Sequence, residues 1–541
     1  MIHVKDHGAV GDGITDDTAA IRAAVATGDV LEWGGPGDVY LVTDQIAVTP
    51  TAPVHWVSGG ATILCGAPSP VKNVVFFDID GHSLRIDGTL NIDANRSAFS
   101  CLYALNSGAA ADARLTDLHA ENAYRSSLTH TGGDGIHLRG AWRTITLDRP
   151  IVRNIAMATD AVVPDNQGIT GITISAIDSQ HLPGDILITA PYVDGVLSED
   201  TTMAREQDGI RVMTANHEAG MVAPYETNVE IVGGTIRNCG GRSVKYQAEW
   251  GSVVGTKIYR DVDRAILNRE IDFQKGGGHL ADVTVHYAGT GAKNVVCFGD
   301  GVVAGKHVPH GSVSGIKVLN TGGDVIESLV TMRDTQGVGM KLIGRGLEVR
   351  GGAVDHLLRV DATAETVVHA IVSDAVLDCA VSAVAAWYGH PTTWGGDIIL
   401  SNVINTGNPV PMLTRNTGGT ATPTLHGSNM VGFTGQGATA ALDLSSLISG
   451  WSEVGDGCHA YRAGHSITYT FQLRGPSRGD AFPMMRLPDG WRPSAATIVP
   501  LRTFDQSEAV GDVFVSTDGQ VTAYRSESTT WWSYATVTVP A

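Results

Sequence analysis

One theme recurs through residues 70–410, and it limits the fold more than any other feature: a short strand of alternating apolar residues, a Gly or Asn turn, then another strand. It reads Arg143-Thr144-Ile145-Thr146-Leu147-Asp148-Arg149-Pro150-Ile151-Val152-Arg153-Asn154, and returns at 228–238, 314–322 and 397–405. A second series runs Asp134-Gly135-Ile136-His137-Leu138, Asp208-Gly209-Ile210-Arg211-Val212, Arg242-Ser243-Val244-Lys245-Tyr246, with further members beginning at Asn294 and Asp324. With an intervening strand at 168–175, successive starts lie roughly 20 to 50 residues apart, the range of solenoid coils with variable loops. Period-two alternation excludes helical repeats. A propeller fits the irregular spacing poorly. A chain of 541 residues with 43% hydrophobic residues would otherwise suggest several domains. Sixty-six glycines against 6% aromatics fit many tight turns between short strands.

The net charge of −19 speaks against a nucleic-acid partner, which needs dense Lys and Arg on its contact face. An acidic polymer would also be repelled unless its groove carries a local excess of cations. Cys65, Cys101, Cys239, Cys297, Cys379 and Cys458 are widely spaced without C-x-x-C pairs or nearby His, and read as buried free thiols. Residues 1–6 lack the basic-then-apolar pattern of a secretory signal, and no apolar run approaches a membrane span. The expectation is a soluble chain without membrane insertion. Work outside a cell would follow lysis, assembly into a particle, or loss of a signal.

The opening run Gly8-Ala9-Val10-Gly11-Asp12-Gly13-Ile14-Thr15-Asp16-Asp17-Thr18-Ala19-Ala20-Ile21 sets capping residues Thr15, Asp16 and Asp17 before a helical face of Ala20, Ile21, Ala24 and Val25. This run resembles the start of the pectate-lyase-superfamily domain of phage tailspikes and extracellular polysaccharide depolymerases. The resemblance covers about the first twenty-five residues. It implies a right-handed parallel β-helix whose end is covered by the short helix, which blunts an aggregation-prone edge.

Around 416–440 the repeat gives way to Gly/Thr-rich sequence with the composition of a linker. Beyond it, 466–473, 512–516 and 535–539 alternate as antiparallel strands. Leu487-Pro488-Asp489-Gly490-Trp491-Arg492-Pro493 resembles a phrase of C-terminal β-sandwich domains in phage tail proteins. The expected organisation is a cap (1–45), a β-helix (46–415), a linker (416–440) and a C-terminal β-sandwich (441–541) serving trimerisation or glycan attachment. The Trp531, Trp532 and Tyr534 group reads as sandwich core or subunit interface.

Outward side chains on stacked strands form ladders about 4.8 Å apart, suited to a linear polymer. Alternation places His137 and Arg139, then Arg211, then Lys245 and Gln247, then Asn268 and Glu270 on one outward band. Any half-buried sheet presents polar residues outward, but this band is basic on an acidic chain. Asp134 and Asp208 begin Asp-Gly-Ile strands. They serve either as turn residues or as a catalytic carboxyl pair two coils apart, near the inverting-glycosidase separation. Glu206, Glu218, Glu249 and Glu270 are further acid or base candidates. A lyase would instead need a base and a cation, for which Lys245, Arg211 or His137 qualify. Trp387, Tyr388 and Trp394 form an aromatic group read as a loop, suited to sugar faces or to anchoring that loop.

Nucleotide and zinc motifs do not occur, and no cofactor is expected; Asp-rich turns leave calcium open. The reading is a tailspike-like depolymerase of a host surface polysaccharide, glycosidase slightly ahead of lyase. It would work on a virion tail or extracellularly, as a homotrimer beside other phage tail proteins. The competing reading is a non-catalytic receptor-binding or structural tail protein.

Overall fold

The computed structural model describes the chain except residues 127–132, 159–167, 201–205, 217–220, 223–227, 264–268, 290–293, 300–309, 335–336, 338, 363–365, 390–393, 409, 412, 416–423, 429, 431–432, 435–440, 444–452, 455–458, 464–465, 476–481, 488–495, 504–508, 519, 526–528 and 541. It divides into two compact units, Met1–Ile398 with Asn405–Thr424, and Ile399–Ile404 with Leu425–Ala541.

The first unit is a right-handed parallel β-helix. Each coil supplies one strand to each of three stacked parallel faces. One face, here called the front, carries Asp134–Asp148, Ile169–Ser175, Gln207–Met213, Val244–Gln247, Arg269–Phe273 and Asn294–Phe298 in succession. Alternation explains the interior. Ile136, Ile172, Ile210, Val244, Ile271 and Val296 are register partners in sequence, all fully buried. Two residues on, Leu138, Ile174, Val212, Tyr246, Phe273 and Phe298 make a second apolar column. Its rings stack face to face, Tyr246 on Phe273 at 5.1 Å and Phe273 on Phe298 at 5.0 Å.

The corner between the other two faces shows why glycine and Asn/Asp punctuate the repeat. One residue per coil takes a left-handed backbone there: Asp117, Arg149, Ala190, Gly233, Gly255, Asp282, Gly315, Gly346 and Asp374. A side chain pays a steric penalty in that region, and Gly, Asn and Asp pay least. The ladder runs through the bend, since Gly233 N–H bonds Val254 O at 2.7 Å and Gly255 N–H bonds Ala281 O at 2.9 Å.

The helix Thr18–Val25 buries Ile21 and Ala24. Its capping differs in two respects from expectation. Asp17 occupies the N-cap position, but its carboxylate turns back to accept the Val10 and Gly11 amides at 2.6 and 3.0 Å. Asp16 accepts the Thr18 amide at 3.0 Å. Thr15 donates its hydroxyl to Asp12 at 2.9 Å rather than capping the helix.

The second unit carries a nine-stranded antiparallel sheet in which Ser466–Gly475 pairs with Thr529–Pro540. Cys65, Cys101, Cys239 and Cys297 are buried free thiols and Cys379 is a half-buried one; Cys458 lies outside the described residues.

Phe273 has a ring on either side, so Phe273→Ala removes two stacks and opens a cavity. A loss of about 3–5 kcal/mol is expected, read as a lower midpoint in denaturant melts followed by circular dichroism.

Candidate functional site

Register, not sequence proximity, builds the site. On the front face the outward column reads Tyr103, His137, Thr173, Arg211, Lys245, Asp272, each the partner of the next. A second column, three residues earlier, reads Asp134, Thr170, Asp208. Asp134 and Asp208 are therefore two coils apart, as the sequence suggested, or about 10 Å at the usual strand spacing.

The lower part of the site is an ion network. Glu206 receives Arg211 at 3.1 Å, Arg242 at 3.8 Å, and the Lys245 ammonium in close contact. Arg242 also reaches Asp208 at 3.5 Å and Asp272 at 2.8 Å, while Arg269 reaches Asp272 at 3.0 Å. Gln247 accepts from Arg211 at 3.4 Å, and Gln274 donates to Asp272 at 2.9 Å. The side chains of Asp208 and Asp272 are 0% exposed and that of Lys245 is 3%, whereas Glu206 and Arg211 keep 18% and 19%. Those two form the open edge. The basic band expected from the sequence is thus largely neutralised by Glu206, Asp208 and Asp272.

Burial works against ionisation of Glu206, but Arg211, Lys245 and Arg242 outweigh it and hold its carboxyl below the usual range. Burial likewise opposes charge on Asp272, and Arg269 and Arg242 prevail there. Lys245 goes the other way. Burial, together with the positive charges of Arg211 and Arg242, lowers its pKa despite the opposing pull of Asp208 and Glu206.

The upper part is a hydrogen-bonded line. Asp134 Oδ2 lies 2.9 Å from His137 Nδ1, and His137 Nε2 lies 2.8 Å from Ser175 Oγ. Thr173 donates to Asp134 Oδ1 at 2.7 Å, and Tyr103 packs against the His137 ring at 4.5 Å. Arg139 extends to the Tyr103 hydroxyl at 3.5 Å. Burial pushes Asp134 upward, but the charge and hydrogen bond of His137, the Thr173 hydroxyl and Arg211 leave it below its ordinary value.

Four expectations need correction or relocation. Glu270 is not on the outward band. It lies 2% exposed inside the coil, held by Arg260 at 2.6 and 3.0 Å and by the Ser243 hydroxyl at 2.7 Å. In these front-face coils two consecutive positions face inward. Those preceding the Ile136 column are Gly135, Gly171, Gly209, Ser243 and Glu270, and a Cβ added at Gly209 would meet Ile236 and Cys239 within 3 Å. The outward residue of that coil is Asp272. Trp387 and Tyr388 lie within the strand Thr366–Gly389, not a loop, and Trp394 opens the strand Trp394–Asn405. Five register steps separate Lys245 from Ala386, about 24 Å, so this aromatic group is remote from the network. The repeat member placed at Asp324 is out of register by four residues, because Asn294 pairs with Ser328.

Glu249 is 5% exposed at the corner after Val244–Gln247. Asn268 and Glu218 lie outside the described residues. The sequence reading passed over Arg242, Asp272, Thr173 and Ser175. Arg242 stands two residues before the inward Val244, and Asp272 one residue after its partner Ile271, a signal visible only once coils are aligned. Among the described residues no group of three metal-ligating side chains assembles.

No family model matches the chain. The mannuronan C5-epimerase AlgE4 of Azotobacter vinelandii is 27% identical over 236 residues, 40% of this chain and 37% of the epimerase. The chain therefore matches well under half the length of that relative. Among solved structures, the catalytic unit of a GH87 α-1,3-glucanase from Streptomyces thermodiastaticus is 12% identical, with a TM-score of 0.42, over 80% of this chain and 69% of that one. The Dettilon tailspike protein is 11% identical with a TM-score of 0.32, over 100% and 94%. A tailspike of E. coli bacteriophage HK620 is 8% identical with a TM-score of 0.34, over 99% and 92%. The chain is a parallel β-helix protein.

Because Glu270 neutralises Arg260 inside the coil, Glu270→Ala strands a buried guanidinium. A loss of about 3–5 kcal/mol in equilibrium unfolding is expected. A full-stability Glu270→Ala protein would return this residue to the outer face.

Proposed function

We propose that this β-helix binds an acidic polysaccharide along its front face and cleaves it by elimination, as a polysaccharide lyase. The observation that carries this reading is the pairing of an amine held below its ordinary pKa, Lys245, with the Arg211 guanidinium on the adjacent coil. Adjacent coils are about 4.8 Å apart, the scale of a single sugar. Elimination needs a base to take the ring proton next to a uronate carboxylate and a cation to hold the charge that spreads onto it. Neutral Lys245 takes the proton, Arg211 holds the carboxylate, and the glycosidic oxygen two bonds away leaves with a proton returned from Lys245. Glu206 keeps both side chains in place. A relative that is named for chemistry at C5 of mannuronan supports a uronate as the substrate unit.

The glycosidase reading rests on the two-coil separation of Asp134 and Asp208. It is the weaker of the two, because a general acid needs a carboxyl held protonated. Glu206 and Asp134 are held below their ordinary values, and Asp208 is fully buried against Arg242. The same proposal has the chain acting on a virion tail or extracellularly, as a homotrimer beside other tail proteins. No helix among the described residues is long and apolar enough to cross a membrane.

Incubation with a panel of uronate-containing and neutral polysaccharides, read by ultraviolet absorbance, tests the reaction. Unsaturated product is expected from acidic polymers alone. Lys245→Gln should lower turnover about 100-fold or more with the fold intact. Because the base acts unprotonated, the wild-type rate should rise with pH and level off with a midpoint below the ordinary lysine value of about 10.4. Shortened saturated products would favour the glycosidase reading, and no product from any polymer would favour a pure receptor-binding protein.

A further inference from the structure

The upper line of the site has a chemistry that elimination does not use. Asp134, His137 and Ser175 stand in a row, with 2.9 Å from carboxylate to Nδ1 and 2.8 Å from Nε2 to Oγ. The carboxylate is ionised, so it accepts from Nδ1–H, and that tautomer leaves Nε2 bare to accept the Ser175 proton. Thr173 fixes the second carboxylate oxygen and Tyr103 the ring plane. A nucleophile, a base and an orienting acid in this order are recognised by geometry on unrelated folds. Arg139 is the backbone register partner of Ser175, and its Nε is buried without a hydrogen-bond partner. Ser175 itself is 4% exposed, which limits the acyl group it can meet to a small one.

We propose that Ser175 is the nucleophile of an esterase site that removes small acyl groups, acetyl above all, from sugar hydroxyls of a polymer in the front groove. The choice of an acylated glycan rests on the reading of that groove given above, whereas the esterase chemistry stands on the triad alone. Ser175 Oγ attacks the acyl carbon while its proton passes to His137 Nε2. The ester C–O bond then breaks and the departing sugar oxygen takes that proton. Water attacks the acyl-serine, gives a proton to Nε2, and releases the carboxylic acid and free Ser175. Ser175 precedes Lys245 by two coils, about 10 Å. Deacylation would then occur on a sugar two units from the one that is cleaved.

The test needs no glycan. Full-length protein is treated with a fluorophosphonate, and the modified peptide is mapped by mass spectrometry; hydrolysis of p-nitrophenyl acetate is followed in parallel. Labelling on Ser175 is expected, with esterase turnover falling at least about 100-fold in Ser175→Ala and in Asp134→Asn. Natively folded wild-type protein left unlabelled under conditions that saturate a control serine esterase overturns the proposal. So does undiminished ester hydrolysis in Ser175→Ala. If that variant fails to fold, the labelling map of the wild-type protein still decides. Polymer elimination without Ser175 labelling would remove the esterase and keep the lyase; the reverse would keep the esterase and remove the lyase.

Discussion

Parallel pairing between coils sets each residue about 4.8 Å from its counterpart in the next, and every other feature of the molecule inherits that spacing. The inward columns become continuous apolar stacks, which is why Tyr246, Phe273 and Phe298 lie ring upon ring at 5.1 and 5.0 Å. The outward columns become rows of groups far apart in sequence, so His137, Thr173, Arg211, Lys245 and Asp272 share one line. A linear polymer with a repeat of similar length meets successive coils with successive sugars.

That same spacing concentrates charge. Arg211, Arg242, Lys245 and Arg269 could not sit within a few ångströms of one another unless Glu206, Asp208 and Asp272 were interleaved. Burial makes each of these ions costly alone and each pair strongly coupled. The result is selective: Glu206 and Asp272 are held ionised while the one amine among the cations is destabilised in its charged form. Proton abstraction next to a uronate asks for that asymmetry. The Arg260 and Glu270 pair uses the same ingredients one layer deeper, where no substrate reaches, and only holds the coil together.

The architecture was legible because a solenoid writes itself in the sequence as period-two strands and turn residues, and the capping run before Thr18 marks its end. Much of the outward band was legible for the same reason: Ile136, Ile210 and Val244 announce the inward column, and His137, Arg211 and Lys245 follow. Glu270 was misread because strict alternation fails at the corner, where Glu270 and Ile271 both face inward. Gly135, Gly171 and Gly209 hide that second inward position by having no side chain. Asp272 was missed with it. Ser175 was invisible for another reason, since its significance depends on a histidine thirty-eight residues away in sequence, and only the register brings the two to 2.8 Å. Trp387 and Tyr388 look loop-like beside Gly389 and Pro391, yet their backbone pairs with Val360 and Asp361.

The central claim is that the front face recognises the carboxylates of an acidic glycan through Arg211 and its neighbours. Calorimetric titration with a uronate oligosaccharide, against the same oligosaccharide with its carboxylates reduced to alcohols, tests it directly. The account predicts binding of the acidic form that weakens with added salt, and at least about tenfold weaker binding of the reduced form. Equal affinity for the two would contradict it.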